Sequence, residues 1–423
     1  MRIVIDNSGY QLGNMGDISM LQVAVNRLNG LWPDAVIQII TKNPARLMNY
    51  CPGAVPLSLE GRKKCLRGRH LINRLRMKLP QVVSRRLDEA EFSAKYRHPG
   101  LFWSIVDLKN RVRGIRMSED IESFRDSIRN ANLVIASGGG YLTDSFKMHA
   151  IELLATLGMA ANLGKRTAMF GQGIGPIQDP ELFQVCSDVL SKVDFICLRE
   201  SRAGMPLLRK MNISEKKVIV TGDDAISTVL DNIEDNLGSG IGINVRAAYY
   251  SGIDLNVLNP IKNALTRVAV GVNANLIPIP ISFHDFDSDI KTSKILLGEH
   301  NKEIQGLKEI DTPKKVIKQI SRCKVVLTGS YHGAVFSLAQ GVPVIGLAKS
   351  QYYVQKFEGI ADQFGTGCEI VNLNECKDFT IIGDQIRKQW ELSEQLRPKL
   401  LASARKQLEA GNKAYKMVYR LFD

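Results

Sequence analysis

The sequence predicts an α/β protein built of two Rossmann-like, doubly wound domains facing a cleft, and three observations predict it. Short apolar strands alternate with helical stretches along most of the 423 residues, the pattern of βαβ units and parallel sheets. Near the middle, the acidic, polar and glycine-bearing stretch DNIEDNLGSG interrupts that alternation, as a linker between domains does. The length, with 44% hydrophobic residues, is enough for two ordinary domains with a core each.

Taken in order, the strand RIVID leads to a helix from about Ile18 to Leu28, and AVIQII is the next strand. A basic helical insert occupies about 58–130. Beyond it come the strand NLVIAS, the long apolar helix SFKMHAIELLATLGMAANLG, the strand RTAMFGQ and a helix near Glu181 to Lys192. The strand DFICLR, a helix near Arg202 to Lys210 and KVIVTGDDA complete a first domain over 1–232. The second, 238–377, opens with IGINVR and the helix LNVLNPIKNALTRVAVGV. It continues through NLIPIPIS, the helix TPKKVIKQISR, and the strands KVVLTGS and PVIGLA. A charged helix from about Asp378 to Leu421 ends the chain, so that residues 378–423 are expected to pack back on the first domain.

Seven cysteines stand singly at 51, 65, 186, 197, 323, 368 and 376, without a Cys-x-x-Cys pair. They read as reduced thiols of a cytoplasmic protein. The start, MRIVIDNSGYQLGNMGD, lacks the charged, apolar and cleavage regions of a secretion signal. No window approaches the roughly 20 apolar residues that cross a bilayer, so the expectation is a protein that is soluble or lies on a surface. The net charge of +13 is concentrated between Gly61 and Leu87, where ten Lys or Arg occur with no acid. Leu71, Ile72, Leu75 and Leu79 recur there at helical spacing, which suits an interfacial helix on anionic lipid. A solvated loop is the plain alternative. A nucleic-acid partner is not expected, because the segment has no aromatic residue on which bases stack.

In open α/β sheets, ligands bind beyond the carboxyl ends of the strands. There this chain carries GNMGD (Gly13, Asn14, Gly16, Asp17), SGGGYLTD (with Gly138, Gly139, Gly140 and Tyr141) and GQGIGP (with Gln172 and Gly173). Glycine lets backbone amides approach an anion, although each loop read alone is equally a tight turn. Arg199 and Arg246 end strands, and a guanidinium fork matches carboxylate or phosphate oxygens. A surface ion pair is the alternative for each. His332 follows KVVLT and opens the helix GAVFSLAQG, flanked by Gly329, Ser330 and Gly333. It can give or take a proton near neutrality, or it can be a structural histidine. His284 has a similar context. HDFDSD begins like a calcium loop but carries Ile290 where that loop needs glycine. Asp17, Asp223 and Asp224 read as cation ligands or helix caps, and no metal site is assigned. A Gly-x-Ser-x-Gly elbow and a Walker lysine are both absent.

In order, GNMGD, SGGGYL, GQGIGP, LRESRAGMPLLRKMNISEKKVIVTGDDAI, IGINVR, SYHGAVFSLAQGVPVIGL and YYVQKFEGIADQFG resemble the polysaccharide pyruvyltransferase family, from about residue 1 to 365. The resemblance implies a GT-B-like fold and transfer of an enolpyruvyl unit from phosphoenolpyruvate to two hydroxyls of a sugar as a ketal, with no cofactor. The sugar belongs to a cell-surface polysaccharide or a lipid-linked glycan precursor. By resemblance His332 is the acid/base, and Arg199, Arg246, Lys356, Ser330, Gly329 and Gly333 surround the donor. Asn14, Asp17, Gly138, Gly139, Gly140, Tyr141, Gln172, Gly173 and Asp223 line the acceptor side. The chain departs from the family in carrying Ser330 where an arginine is usual, and Lys349, Lys356 and Arg246 are the candidate replacements. The implied partners are the donor, a glycan acceptor and an anionic membrane surface through residues 61–87, placing the protein at the inner face of the plasma membrane. Two alternatives stand beside this: a GT-B glycosyltransferase using a nucleotide sugar, and a non-catalytic glycan- or anion-binding relative.

Overall fold

The structure, a computed structural model, describes residues 1–7, 9–71, 79–246, 253, 255–284, 288–298, 301–376 and 378–422. It is an α/β molecule with two parallel sheets. The first contains β1 (Arg2–Asp6), β2 (Val36–Thr41), β3 (Val55–Ser58), β4 (Leu133–Ala136), β6 (Arg166–Ile174), β7 (Phe195–Leu198) and β8 (Val218–Val220). They run in the order β3-β2-β1-β4-β6-β7-β8, with β5 (Gly139–Leu142) also on β6. The inner strands are almost wholly buried, four residues in four for β4 and β7, which is why they read as apolar runs rather than alternating ones, while the edge strands β3 and β8 are partly exposed. The second sheet has the order β10-β9-β11-β12-β13. Its strands are β9 (Gly240–Asn244), β10 (Leu276–Pro278), β11 (Cys323–Thr328), β12 (Val344–Ala348) and β13 (Cys368–Asn372).

Each sheet reverses its winding once, between β1 and β4 in the first and between β9 and β11 in the second. Such a switch point leaves a crevice at the strand ends, and here the two crevices meet. The loop after β1 pairs with the segment after β10: Met15 N–H donates to Ile281 O at 2.9 Å and Phe283 N–H to Gly13 O at 2.8 Å. One continuous apolar cluster joins Ile3, Ile18 and Phe170 of the first domain to Val335, Phe336 and Phe357 of the second. The cleft is therefore a small chamber within a packed interface.

The 40-residue helix Thr380–Tyr419 bridges the two halves. Its earlier turns pack on the helix Leu258–Gly271 and on β11. Its last turns return to the first domain, where Tyr415 stacks on Phe170 at 3.8 Å and donates to Asp224 at 2.9 Å. Arg27 closes the same group on Asp224 at 2.6 Å.

The insert forms helices Leu59–Arg67, Gln81–Arg97, Pro99–Val112 and Glu119–Asn130. Its basic residues are less available than the sequence suggests. Arg62 is fully buried, held by Asp6 at 2.8 Å and Glu152 at 2.6 Å. Lys63, Lys64, Arg67, Arg69 and Arg85 each meet a carboxylate, supplied by Glu60, Asp120, Glu152, Asp88 and Glu89. All of these acids lie outside the 61–87 stretch, so reading that stretch by itself hid the neutralisation. Ile72, Arg74, Leu75, Arg76 and Lys78 lie outside the described residues, and Leu71 packs partly buried against the core.

Candidate active site

The glycines of GNMGD make room for histidines from the other domain. Asn14 caps the helix Met15–Leu31, accepting from Gly16 N–H at 2.9 Å, and leaves Asp17 in its first turn. A Cβ on Gly16 would stand 1.9 Å from His332 Cγ, and one on Gly13 would stand 2.5 Å from His284. No side chain fits at either place, so the spacing of the two glycines follows from the domain contact.

His332 lies in the first turn of the helix Tyr331–Ala339, which Ser330 begins. It is buried but lines the chamber. Asp223 approaches it from the first domain, Oδ2 to Nε2 3.7 Å, an electrostatic contact longer than a hydrogen bond. The same carboxylate oxygen is 3.7 Å from Arg199, while its other oxygen accepts from Ala225 N–H at 2.9 Å. Burial alone would push the Asp223 carboxyl up, yet the imidazole and Arg199 together hold it below the ordinary carboxylate range.

Arg199 passes between two glycines. Cβ atoms on Gly140 and Gly173 would stand 2.5 and 2.8 Å from its guanidinium, so the SGGGYL and GQGIGP loops are shaped to admit an arginine. Its guanidinium lies 3.8 Å from the Tyr331 ring centroid, a cation–π contact. Lys356 extends beside it, with Nζ 3.9 Å from the Tyr352 ring and within 6 Å of Tyr331 and Tyr353. Burial, reinforced by Arg199, pulls the Lys356 ammonium well below the ordinary lysine range. Tyr352 donates to Gly140 O at 2.6 Å and so ties this helix to the first domain.

The resulting chamber, about 290 Å³, is lined by Asn14, Asp17, Gly140, Tyr141, Arg199, Arg246, Ser330, His332 and Lys356 among the residues expected from sequence. The first turns of the helices that begin at Met15, Tyr331 and Gln351 supply Asp17, His332 and Tyr352 to its lining. Arg199, Arg246 and Lys356 give this lining three basic side chains, with Asp17 the one carboxylate among its described residues.

Other expected residues are placed differently. Gln172 is fully buried and donates to the carbonyls of Ala136, Ser137 and Phe170, so it braces the loops behind the chamber. Gly138 gives way to Met20, Gly139 is a β5 residue paired with Gln172, and Gly333 gives way to Thr328. Gly329 fastens β11 to β9 by donating to Asn244 O at 2.7 Å. Gly173 and Asp223 act through Arg199 and His332 and line no part of the chamber. Arg246 reaches the chamber, but its fork is engaged by Asp289 at 3.1 and 3.0 Å. Of the three candidate replacements for the arginine absent at 330, Arg246 and Lys356 line the chamber together with Ser330, and Lys349 does not.

Phe146, His149, Tyr331, Tyr352 and Tyr353 also line the chamber and were missed, and His284, noted for its context, received no role. Tyr352 and Tyr353 precede Lys356 by four and three residues, the spacing of one helical face, and that was the available signal. His149 has no such signal. It stacks on Tyr10 at 5.1 Å, and burial pulls its imidazole down to about 4, so it is neutral at ordinary pH. Among the described residues no cluster of three or more His, Cys, Asp or Glu could hold a metal ion.

Comparison with known proteins agrees with this geometry. Among solved structures, UDP-GlcNAc 2-epimerase from Neisseria meningitidis has a TM-score of 0.54 at 13% identity, with all of both chains covered. The glycotransferase of kitacinnamycin has a TM-score of 0.52 at 10% identity, covering 99% of this chain and 97% of that one. At such identities they establish the fold, the two-domain GT-B arrangement. The amylovoran biosynthesis protein AmsJ of Erwinia amylovora is 26% identical over 222 residues, 51% of this chain and 46% of that protein, so the match spans about half of AmsJ's length. The polysaccharide pyruvyl transferase family model matches residues 14–350, a span that runs from the cap of the first helix past His332 and takes in most of the residues that build the chamber. The chain belongs to the polysaccharide pyruvyl transferase family.

Proposed function

We propose that the protein transfers a pyruvyl group from phosphoenolpyruvate to two hydroxyls of a glycan in polysaccharide biosynthesis, in the cytoplasm. The observation that carries this is the meeting of Arg199, Lys356 and Arg246 with His332 in a chamber between the domains. Phosphoenolpyruvate carries a carboxylate and a phosphate on one carbon, and a cluster of fixed positive groups is what holds such a ligand.

The chemistry then needs one proton donor and a place for the leaving group. His332 delivers a proton to the methylene carbon, which becomes a methyl group, while a sugar oxygen bonds to the neighbouring carbon and gives up its hydroxyl proton. The carbon–oxygen bond to phosphate breaks, and phosphate departs with its electron pair beside the cations. A second hydroxyl of the same sugar closes the ketal and releases its proton. The sum is one donor and one diol converted to one ketal and one inorganic phosphate. Asp223 faces the imidazole at 3.7 Å from the other domain, and Arg199 and Lys356 are our candidates for the charge that an arginine at position 330 would supply. Asp17, on the first-domain side of the chamber, is positioned to take a hydroxyl proton from the acceptor.

The test is incubation with phosphoenolpyruvate and the glycan precursors of the host. The expected result is an acceptor heavier by pyruvate less one water, with phosphate released in equal amount. A melting-temperature panel separates the alternatives in the same preparation. Stabilisation by phosphoenolpyruvate and not by UDP supports the proposal; the reverse points to a nucleotide-sugar glycosyltransferase, and a response to neither points to a non-catalytic relative.

A further inference from the structure

We propose that the outer face of the helix Pro99–Val112 is a docking surface for an anionic lipid bilayer. This helix has two apolar faces. Phe102, Trp103 and Val106 are buried against the first domain. On the other side Leu101, Ile105, Leu108 and Val112 are 68%, 47%, 61% and 78% exposed. Their steps of four, three and four residues place them on one stripe. A helix that only covers a core needs one apolar stripe, and a second one left in water marks a contact site. Ile115 just beyond the helix, and Val82 and Val83 at the start of the helix that leads into it, are also exposed.

Charge selects the occupant. Arg111, Arg113 and Arg116 follow the stripe and are exposed, and Arg86 is exposed on the neighbouring helix. Among the described residues none of the four meets a carboxylate, in contrast to the paired bases between Gly61 and Arg69. The single acid of the helix, Asp107, is taken by Arg125 at 2.7 and 2.9 Å. The stripe carries aliphatic side chains bordered by one sign of charge, with no exposed Tyr, Trp or Phe of the kind that anchors a protein interface. Aliphatic residues entering the acyl boundary, with arginines at the headgroups, is the arrangement of a helix lying in the interface plane. This surface at 99–116 is separate from the stretch 61–87, several of whose described bases are paired with carboxylates. The proposal requires nothing of the pyruvyl-transfer chemistry, and binding is measured without donor or acceptor.

The experiment is co-sedimentation of the full chain with vesicles of phosphatidylcholine alone or mixed with phosphatidylglycerol, at low and high salt. The wild type should pellet with the phosphatidylglycerol vesicles and be released by salt. Leu101→Asp/Leu108→Asp and Arg111→Gln/Arg113→Gln/Arg116→Gln should each lower vesicle affinity at least about tenfold with an unchanged melting temperature, since all five side chains are exposed. If the Asp pair alters the melt, Leu101→Ser/Leu108→Ser replaces it. Wild-type failure to bind phosphatidylglycerol, or equal binding by either variant, overturns the proposal. So does light scattering that shows a wild-type dimer dissolved by the Leu101 and Leu108 substitutions without any vesicle binding.

Discussion

Asp223 reaches His332 from the opposite domain, so the two side chains meet only where the two halves do. His332→Ala should leave the melting profile near native and lower kcat by about 10²–10⁴, read as phosphate release; full turnover in that variant removes the acid/base assignment. Asp223→Asn keeps a similar volume but removes the anion facing the imidazole and Arg199, and the loss should be smaller, about 10–10². Lys356 brings a pH dependence whose sign is fixed by its environment. Burial and Arg199 disfavour its charged form, so it sheds its proton well below the ordinary lysine range, and donor affinity falls as pH rises through that point. The KM for phosphoenolpyruvate should therefore climb with pH in the wild type. Lys356→Arg keeps its charge at every accessible pH and should flatten that climb, while Lys356→Met should hold KM high throughout. A wild-type KM that is flat with pH would show that Lys356 does not clamp the donor.

Helix starts do much of the positioning, and they show what a sequence does and does not reveal. GNMGD was legible as a glycine-bearing turn at the end of an apolar strand, the place where open α/β sheets bind ligands, with a plain tight turn as its equal reading. Its actual geometry depends on His284 and His332, about 270 and 315 residues further along the chain, a distance that no local pattern spans. Gly16→Ala should accordingly do more than strain a helix that tolerates alanine well. Its methyl group would overlap the imidazole, so kcat should fall at least about tenfold while the isolated helix would, if anything, be favoured. Gly30, on the same helix with open space around it, is the control, and Gly30→Ala should be neutral or slightly stabilising. If both variants behave alike, the close approach at Gly16 is not what its glycine provides. In the basic stretch the charge was visible, but Asp6, Glu152 and Asp120, which neutralise three of its bases, come from outside it. His149 was invisible because its importance comes from being walled in by Tyr10 and Tyr141.

At the scale of the whole molecule, alternation of strands and helices was enough to read two doubly wound halves, yet not that their cores fuse. That fusion has a measurable consequence. Domains joined by a polar hinge unfold separately, whereas an apolar interface makes them one cooperative unit, and the cluster running from Ile3 to Phe357 crosses the boundary without a break. Calorimetry should therefore show a single transition whose calorimetric and van't Hoff enthalpies agree; two resolved transitions would contradict a shared core. The terminal helix is the part of this arrangement that a point substitution can probe. Tyr415 fills the space over Phe170 at 3.8 Å and donates to Asp224, which also holds Arg27. Asp224 is buried with its carboxyl pushed up by burial, against the pull of Arg27 and Tyr415, so it is sensitive to losing a donor. Tyr415→Phe keeps the stacking and should cost about 1–2 kcal/mol, and Tyr415→Ala should cost about 3–5 kcal/mol by adding a cavity. Because this helix also packs on β11, which leads into His332, the Ala variant should still melt in one step, at lower temperature. Resolution into two transitions in that variant alone would mean that the terminal helix, rather than the apolar interface, is what couples the halves.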